Sequence, residues 1–360
     1  MFRYQALKES FLKTLKFLAF LALGLLLLFF AFKGINPHLI WYDIKTARYG
    51  WILLSLVFAF CAYLLRAWRW ILIIEPLGYK PSFSNTFHAM MTGYLANFAL
   101  PRIGEITRCA SLAKKENIPV DKLVGTVIVE RVIDLLSLFV LLIVLLLMKF
   151  DTFGSFINNS LLIPLKDKLS DYLGFSWIIW AVIIIVIALV FLLYYLYFRE
   201  TLGEFKAFNK FKNIIKGILS GLKSVFKMKR KMVFFVQTLI IWLFYLLMTW
   251  VVVFSLPATS GLKIIDGVFI LVIGTLGMAA PVQSGIGAFH WIVSRGLFAV
   301  YPGISLEQGL AFATVTHGSQ ALFAIAVGSV SVFILLYRKK SRMINVNLSA
   351  EVTRDKTLHT

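Results

Sequence analysis

Residues 97–108 read Asn-Phe-Ala-Leu-Pro-Arg-Ile-Gly-Glu-Ile-Thr-Arg, and the break they contain decides how the chain folds. Upstream, the stretch from residue 83 is apolar as far as Leu100. At Pro101 it stops, then resumes to residue 114 as a mixture of charged and apolar side chains. Proline lacks an amide hydrogen and clashes with the preceding helical turn, so one helix ends there and another begins. A second stretch has the same form: residues 264–280 are apolar, Pro281-Val-Gln-Ser-Gly-Ile-Gly287 interrupts, and apolar sequence returns to residue 300.

Around these two broken stretches lie six uninterrupted apolar segments at 15–32, 51–74, 123–148, 176–198, 233–256 and 310–337. Each matches the ~20 residues a helix needs to cross a bilayer. Loop charge orients them, because basic residues stay on the cytoplasmic side. Residues 1–16 carry a net charge of +3, residues 199–231 +8 and residues 338–342 +4, whereas residues 149–175 are neutral. The first three therefore belong inside and the last outside. Parity then requires residues 75–122 to begin and end inside, and residues 257–309 to begin and end outside. Each broken stretch is expected to be a re-entrant or V-shaped helical hairpin, one entering from each face. Span, hairpin, span occurs twice with opposite orientation, the pattern of an inverted repeat. The expected fold is an all-α polytopic membrane protein with about six full spans and two such hairpins. It forms one domain over 1–342, with halves at about 15–148 and 233–337.

Composition agrees. Hydrophobic residues make up 60% of the chain and charged residues 15%, against about a quarter charged in soluble domains. The net charge of +20 does not point to nucleic acid, because the basic residues flank apolar spans instead of lining a soluble face. The first apolar run ends in Phe32-Lys33-Gly34, which is no cleavage site, so an uncleaved first span is expected. Between the halves, Phe208, Phe211, Ile215, Ile218, Leu222 and Val225 recur at helical spacing among lysines. This predicts a basic amphipathic linker helix over about 200–231 lying in the headgroup plane. The polar tail at 343–360 is expected to be disordered. Cys61 and Cys109 show no paired or metal-ligand spacing, and neither a metal nor a cofactor is expected.

The informative residues are charges at membrane depth. Arg66 and Arg69 are spaced i, i+3 in the second span and are followed by Trp70. Arg66 lies eight residues before the span's end, roughly 12 Å at 1.5 Å per residue. In the first hairpin Asn97 precedes Pro101, and Arg102, Glu105 and Arg108 are spaced by three. A helix starting after Pro101 would show these three on one face, with its free N–H groups beside them, a suitable setting for a phosphate. The same arginines could instead pair with Glu105. Glu130 and Asp134 share a face of the next span beside Arg131; they read as ion-pair partners or as proton carriers. Gly285 and Gly287 at the second hairpin's tip would permit a tight turn or close approach of a ligand. His290 and His317 read as proton carriers or as hydrogen-bonding side chains. No catalytic fingerprint is present, so an enzyme is not expected.

The strings Arg66-x-x-Arg69-Trp70, Leu100-Pro101-Arg102-x-Gly104-Glu105-x-x-Arg108, Glu130-Arg131-x-x-Asp134 and Pro281-x-x-x-Gly285-Ile-Gly287 together resemble the flippase-like family, the transmembrane region of lysylphosphatidylglycerol synthase. The resemblance covers about residues 10–340. It implies a multi-pass protein of a prokaryotic plasma membrane, with both termini cytoplasmic, that moves an anionic phospholipid or polyprenyl-linked lipid between leaflets. Together with the reading of the residues above, the expected substrate-binding set is Arg66, Arg69, Asn97, Arg102, Glu105, Arg108, Gly285 and Gly287. Two departures stand out. His290 occupies a place that is commonly acidic in the family. No soluble synthase domain follows, so lysyl transfer is not expected. A membrane-embedded enzyme acting on lipid or polyprenyl phosphates, and a non-transporting partner of a lipid or glycan synthase, stay open, as do a homodimer and a synthase partner.

Overall fold

A computed structural model describes residues 21–148 and 230–337, together with Leu18 and Ile163. The expected span 176–198, the linker helix over 200–231 (apart from its last residues) and the tail 343–360 lie outside the described residues. Within them the regular structure is helical, with no strand. The helices are α1 (Leu21–Phe32), α2 (Pro37–Thr46), α3 (Tyr49–Ile74), α4 (Phe83–Ala99), α5 (Gly104–Glu116), α6 (Val120–Met148), α7 (Lys231–Trp250), α8 (Ile264–Met278), α9 (Ala288–Val300) and α10 (Leu306–Tyr337). Four of them, α3, α6, α7 and α10, are long and apolar enough to cross a membrane. A fifth span arises if α1 and α2, bent by 90°, count as one. Their outward faces carry large apolar side chains such as Phe139, Val140, Ile143 and Leu147 of α6. Water would not tolerate so much exposed apolar surface, and the chain is a multi-pass membrane protein.

Local sequence sets the ends. Asn36 caps α2 by accepting from the His38 amide at 3.0 Å, with Pro37 in the first turn. Ser82 caps α4 through the Asn85 amide. Asn117 ends α5 in the left-handed conformation at φ 55°.

A handful of contacts establish the directions of α3, α7 and the two hairpins. Arg230 at the start of α7 lies 3.9 Å from Glu75 at the end of α3. The Arg48 amide before α3 donates to the Ser255 carbonyl after α7 at 2.8 Å. α3 and α7 are therefore antiparallel, which defines a near face, where α3 ends, and a far face. The first hairpin opens and closes on the near face: the Glu116 carboxylate at the end of α5 accepts from the Ser82 amide and the Asn85 side chain at the start of α4. The second opens and closes on the far face: the Tyr301 hydroxyl after α9 donates to Asp266 in the first turn of α8 at 2.7 Å. The two tips meet, where Arg102 Nη2 donates to the Ala279 carbonyl at the end of α8 at 2.9 Å. Hairpins that enter from opposite faces and touch at their tips each stop inside the molecule. Their second arms have 13 residues each, about 20 Å at 1.5 Å per residue, well short of the ~30 Å hydrocarbon core.

Packing follows the repeat. Pairing α3 with α7, α4 with α8, α5 with α9 and α6 with α10 carries the contact α4–α10 into α8–α6, α5–α6 into α9–α10, and α3–α7 into itself. The inverted repeat is thus a property of the contacts as well as of the loop charges. α1 crosses beside the second hairpin, and Arg295 of α9 donates to the Phe30 carbonyl at 3.1 Å. α2, which the apolar pattern did not reveal, packs against α10.

Candidate buried charge cluster

The deepest charges collect at one point between α3, α5, α6 and α7. Glu130 of α6 is 1% exposed and forms ion pairs with three arginines. Arg66 Nη2 donates to its Oε1. Arg69 Nη2 lies 3.7 Å from the same oxygen, and Arg108 Nη1 lies 3.0 Å from Oε2. Asp134, one turn along α6, accepts from Arg69 at 2.6 Å and from Arg66 at 3.3 Å. Helical spacing explains the match, since i, i+3 on α3 and i, i+4 on α6 each present two charges on one face.

Three guanidiniums here meet two carboxylates, leaving one positive charge in excess. Arg108 is 2% exposed; its pairing with Glu130 lies outside hydrogen-bond geometry, and its Nε and Nη2 find no acceptor among the described residues. Its guanidinium sits 4.7 Å from the centroid of the Trp70 ring, which supplies a cation–π contact but no acceptor. Trp70 is held in turn by its Nε1, which donates to Thr126 at 2.8 Å. The site is therefore ordered, buried and short of one anion.

Sequence spacing missed the contribution of α7. Tyr245 accepts from Arg66 Nη1 at 2.7 Å, and Thr238 lies 3.4 Å from Arg69 Nη1. These two are seven residues apart, on one face of an apolar span, and that spacing was the available signal. Tyr94 of α4 lies under Arg66, 5.9 Å from ring centroid to Cζ.

The remaining candidates fall in three other places. Arg102, Glu105 and Arg108 do not share a helical face. Arg102 lies before α5 in the left-handed region, φ 60°, is exposed, and reaches the second hairpin's tip as described. The chain must reverse within Leu100–Ile103, and α5 begins only at Gly104. The first amide of α5 is also satisfied, because Asn97 Oδ1 accepts from Gly104 N at 2.8 Å. Gly104 is required there: a Cβ would stand 2.6 Å from Asn97 Oδ1. Glu105 instead pairs with Arg131 of α6 at 3.2 Å, on the outer side of the same two helices.

At the second tip Gly285 and Gly287 have φ of 76° and 83°. The space a Gly287 Cβ would need is taken by the α1 backbone, 2.6 Å away at Gly24 O and Leu28 N, so its close approach is to α1. His290 and His317 lie together with perpendicular rings, centroids 5.1 Å apart, and His317 Nε2 is 2.9 Å from the Ser284 carbonyl. Among the described residues no group of three or more His, Cys, Asp or Glu side chains could hold a metal ion.

Comparison with known proteins supplies the family. The family described as the lysylphosphatidylglycerol synthase TM region matches residues 17–328, and the chain belongs to it. A UPF0104 membrane protein of Methanocaldococcus jannaschii is 33% identical over 87 residues, 23% of this chain and 26% of that protein. The chain thus matches about a quarter of that curated relative's length. No solved structure matches it.

Proposed function

We propose that this member of the lysylphosphatidylglycerol synthase transmembrane-region family moves a phosphate-bearing lipid between leaflets of a prokaryotic plasma membrane, without covalent chemistry and with the near face toward the cytoplasm. The observation that carries the reading is the excess positive charge of the Arg66, Arg69 and Arg108 cluster. An unpaired charge within the hydrocarbon core is costly, about 2.5–3.5 kcal/mol even on insertion scales. A lipid phosphate is the anion that a bilayer supplies, and guanidiniums suit its geometry. Glu130 and Asp134 act on this reading as counterions that keep the arginines folded in place. A phosphate arriving at the cluster adds the missing charge, which lowers the barrier to carrying a headgroup across the apolar core. Within the cluster Arg108 takes the phosphate, because its donors lack acceptors.

The test is reconstitution in vesicles of phosphatidylcholine with a headgroup-quenchable fluorescent phosphatidylglycerol. Protein-containing vesicles should exchange the probe between leaflets faster than protein-free ones. Arg108→Lys, which keeps charge but loses the fork, should slow exchange while leaving the protein folded. Equal exchange with and without protein would remove the transport reading.

A further inference from the structure

The seam between α5 and α6 is not closed on its outer side. It holds a groove of about 340 Å³, within the range of ordinary ligand sites. Its walls are apolar except for the Glu105–Arg131 pair, with Ile106 on one side and Val124, Ile128 and Leu135 on the other. Ile106, Ile128 and Leu135 are half or more exposed, so the groove opens away from the helix bundle. Val124 to Leu135 spans eleven residues of one helix, roughly 16 Å. That is about half of the ~30 Å hydrocarbon core, the depth of one leaflet's acyl chains.

The ion pair sits toward the deep end. Arg131 is nine residues beyond Lys122, which bonds Tyr79 near the near face, so it lies roughly 14 Å along α6 at 1.5 Å per residue. Its side chain is 45% exposed and that of Glu105 28%, unlike the closed cluster behind them. The two sites are back to back. Glu130 adjoins Arg131 in sequence, and Arg108 is one turn beyond Glu105 on α5.

We propose that this groove is the lateral entry through which a bilayer phospholipid reaches the buried arginines, with Glu105 and Arg131 as its polar gate. The inference rests on the phosphate reading above and says where the lipid comes in. One acyl chain lies along the apolar wall. As the headgroup descends, its phosphate binds the half-exposed Arg131 guanidinium, whose donor fork has room for it beside the Glu105 carboxylate. The excess positive charge of the buried cluster, one turn along α5 toward the near face and behind the helix seam, then draws the phosphate between α5 and α6 to Arg108.

The full chain in phosphatidylcholine vesicles would be labelled with a phosphatidylglycerol carrying a photoreactive diazirine on one acyl chain, in parallel with a diacylglycerol bearing the same chain. Cross-links should map to α5 and α6 around Ile106, Val124 and Ile128, severalfold more strongly for phosphatidylglycerol. Ile128→Trp or Val124→Trp, each filling the groove from its lipid-facing wall, should lower both labelling and leaflet exchange severalfold. Arg131→Gln should leave the labelled residues the same and abolish the preference for phosphatidylglycerol. Labelling confined to other helices, equal labelling by the two probes, or cross-links from the groove to another protein segment would each overturn the entry route. If exchange by the parent and its slowing in Arg108→Lys persist in that case, the arginine reading survives. Specific groove labelling by a parent that exchanges no lipid would leave the entry site standing and remove transport.

Discussion

Glu130→Gln keeps the side chain's shape and removes the charge on which three arginines converge. The excess in the buried cluster then rises from one positive charge to two, at a carboxylate 1% exposed whose first partner, Arg66, is also buried at 7%. Breaking one side of a buried ion pair costs about 3–5 kcal/mol, because the remaining charge stays buried. Folded proteins hold only about 5–15 kcal/mol in total. At about 2 °C per kcal/mol, the low end for larger chains, the midpoint of unfolding should fall by roughly 6–10 °C. Tryptophan fluorescence during heating in detergent micelles reads this directly, since Trp70 packs against Arg108. A double variant that adds Arg108→Gln returns the excess to one and should recover part of the loss, with a coupling of about 0.5–3 kcal/mol. Added anionic lipid should raise the midpoint of the single variant more than that of the parent, because a ligand that binds the folded state stabilises it by mass action. A Glu130→Gln protein that melts with the parent, and to which Arg108→Gln adds only an independent loss, would refute the cluster as an electrostatic unit.

Gly104→Ala should destabilise the first hairpin by about 1–3 kcal/mol through overpacking against the Gly93 carbonyl of α4 and the Asn97 side chain, whereas Gly125→Ala, with nothing within 4 Å of the added carbon, should be neutral or stabilising; thermal unfolding compares the two. Arg102→Ala removes one hydrogen bond from an exposed side chain, and its unfolding free energy should fall by no more than about 0.5–1.5 kcal/mol. In a background lacking Cys61 and Cys109, a cysteine at Ser260 should react with an impermeant maleimide from outside the cell and one at Lys80 only after permeabilisation; the reverse result would invert the orientation.

Much of the fold could be read from apolar length, two prolines and loop charge, because bilayer thickness and the positive-inside rule constrain a membrane chain more tightly than water constrains a soluble one. The four long spans and both hairpins lie close to where those signals put them, with α3 at Tyr49–Ile74 and the first hairpin's arms at Phe83–Ala99 and Gly104–Glu116. α2 was hidden because Pro37–Thr46 is only weakly apolar, and a short helix lying across a bundle needs no long run. Arg66, Arg69, Arg108, Glu130 and Asp134 were each legible as charges at membrane depth that must find partners, but not as one group, and Arg131, adjacent to Glu130 in sequence, pairs with Glu105 instead. Which arginine pairs with which carboxylate was not legible. The spacing by three of Arg102, Glu105 and Arg108 implies one face only if all three are helical, and the turn at φ 60° takes Arg102 out of the helix. The roles of Tyr245 and Thr238 depend on α7 packing against α3, a contact between halves that no local pattern encodes.

The two halves also reveal what the repeat does not copy. Arg131 is the twelfth residue of α6, and its counterpart, twelfth in α10, is His317; Glu105 is second in α5 and His290 third in α9. The Glu105–Arg131 pair and the His290–His317 pair therefore occupy corresponding seams of the two halves. Their chemistry differs. The near-face seam holds a half-exposed ion pair beside an open groove. The far-face seam holds two imidazoles, 7% and 6% exposed, in contact with each other and with Phe289. A transporter built from an inverted repeat reaches its two access states by letting the halves exchange conformations around a central site. Two halves with equally open seams would leave such a site accessible from both sides at once. Here a packed aromatic and imidazole layer fills the far-face seam while a half-exposed ion pair beside an open groove lines the near-face one, so the structure is asymmetric across its own repeat.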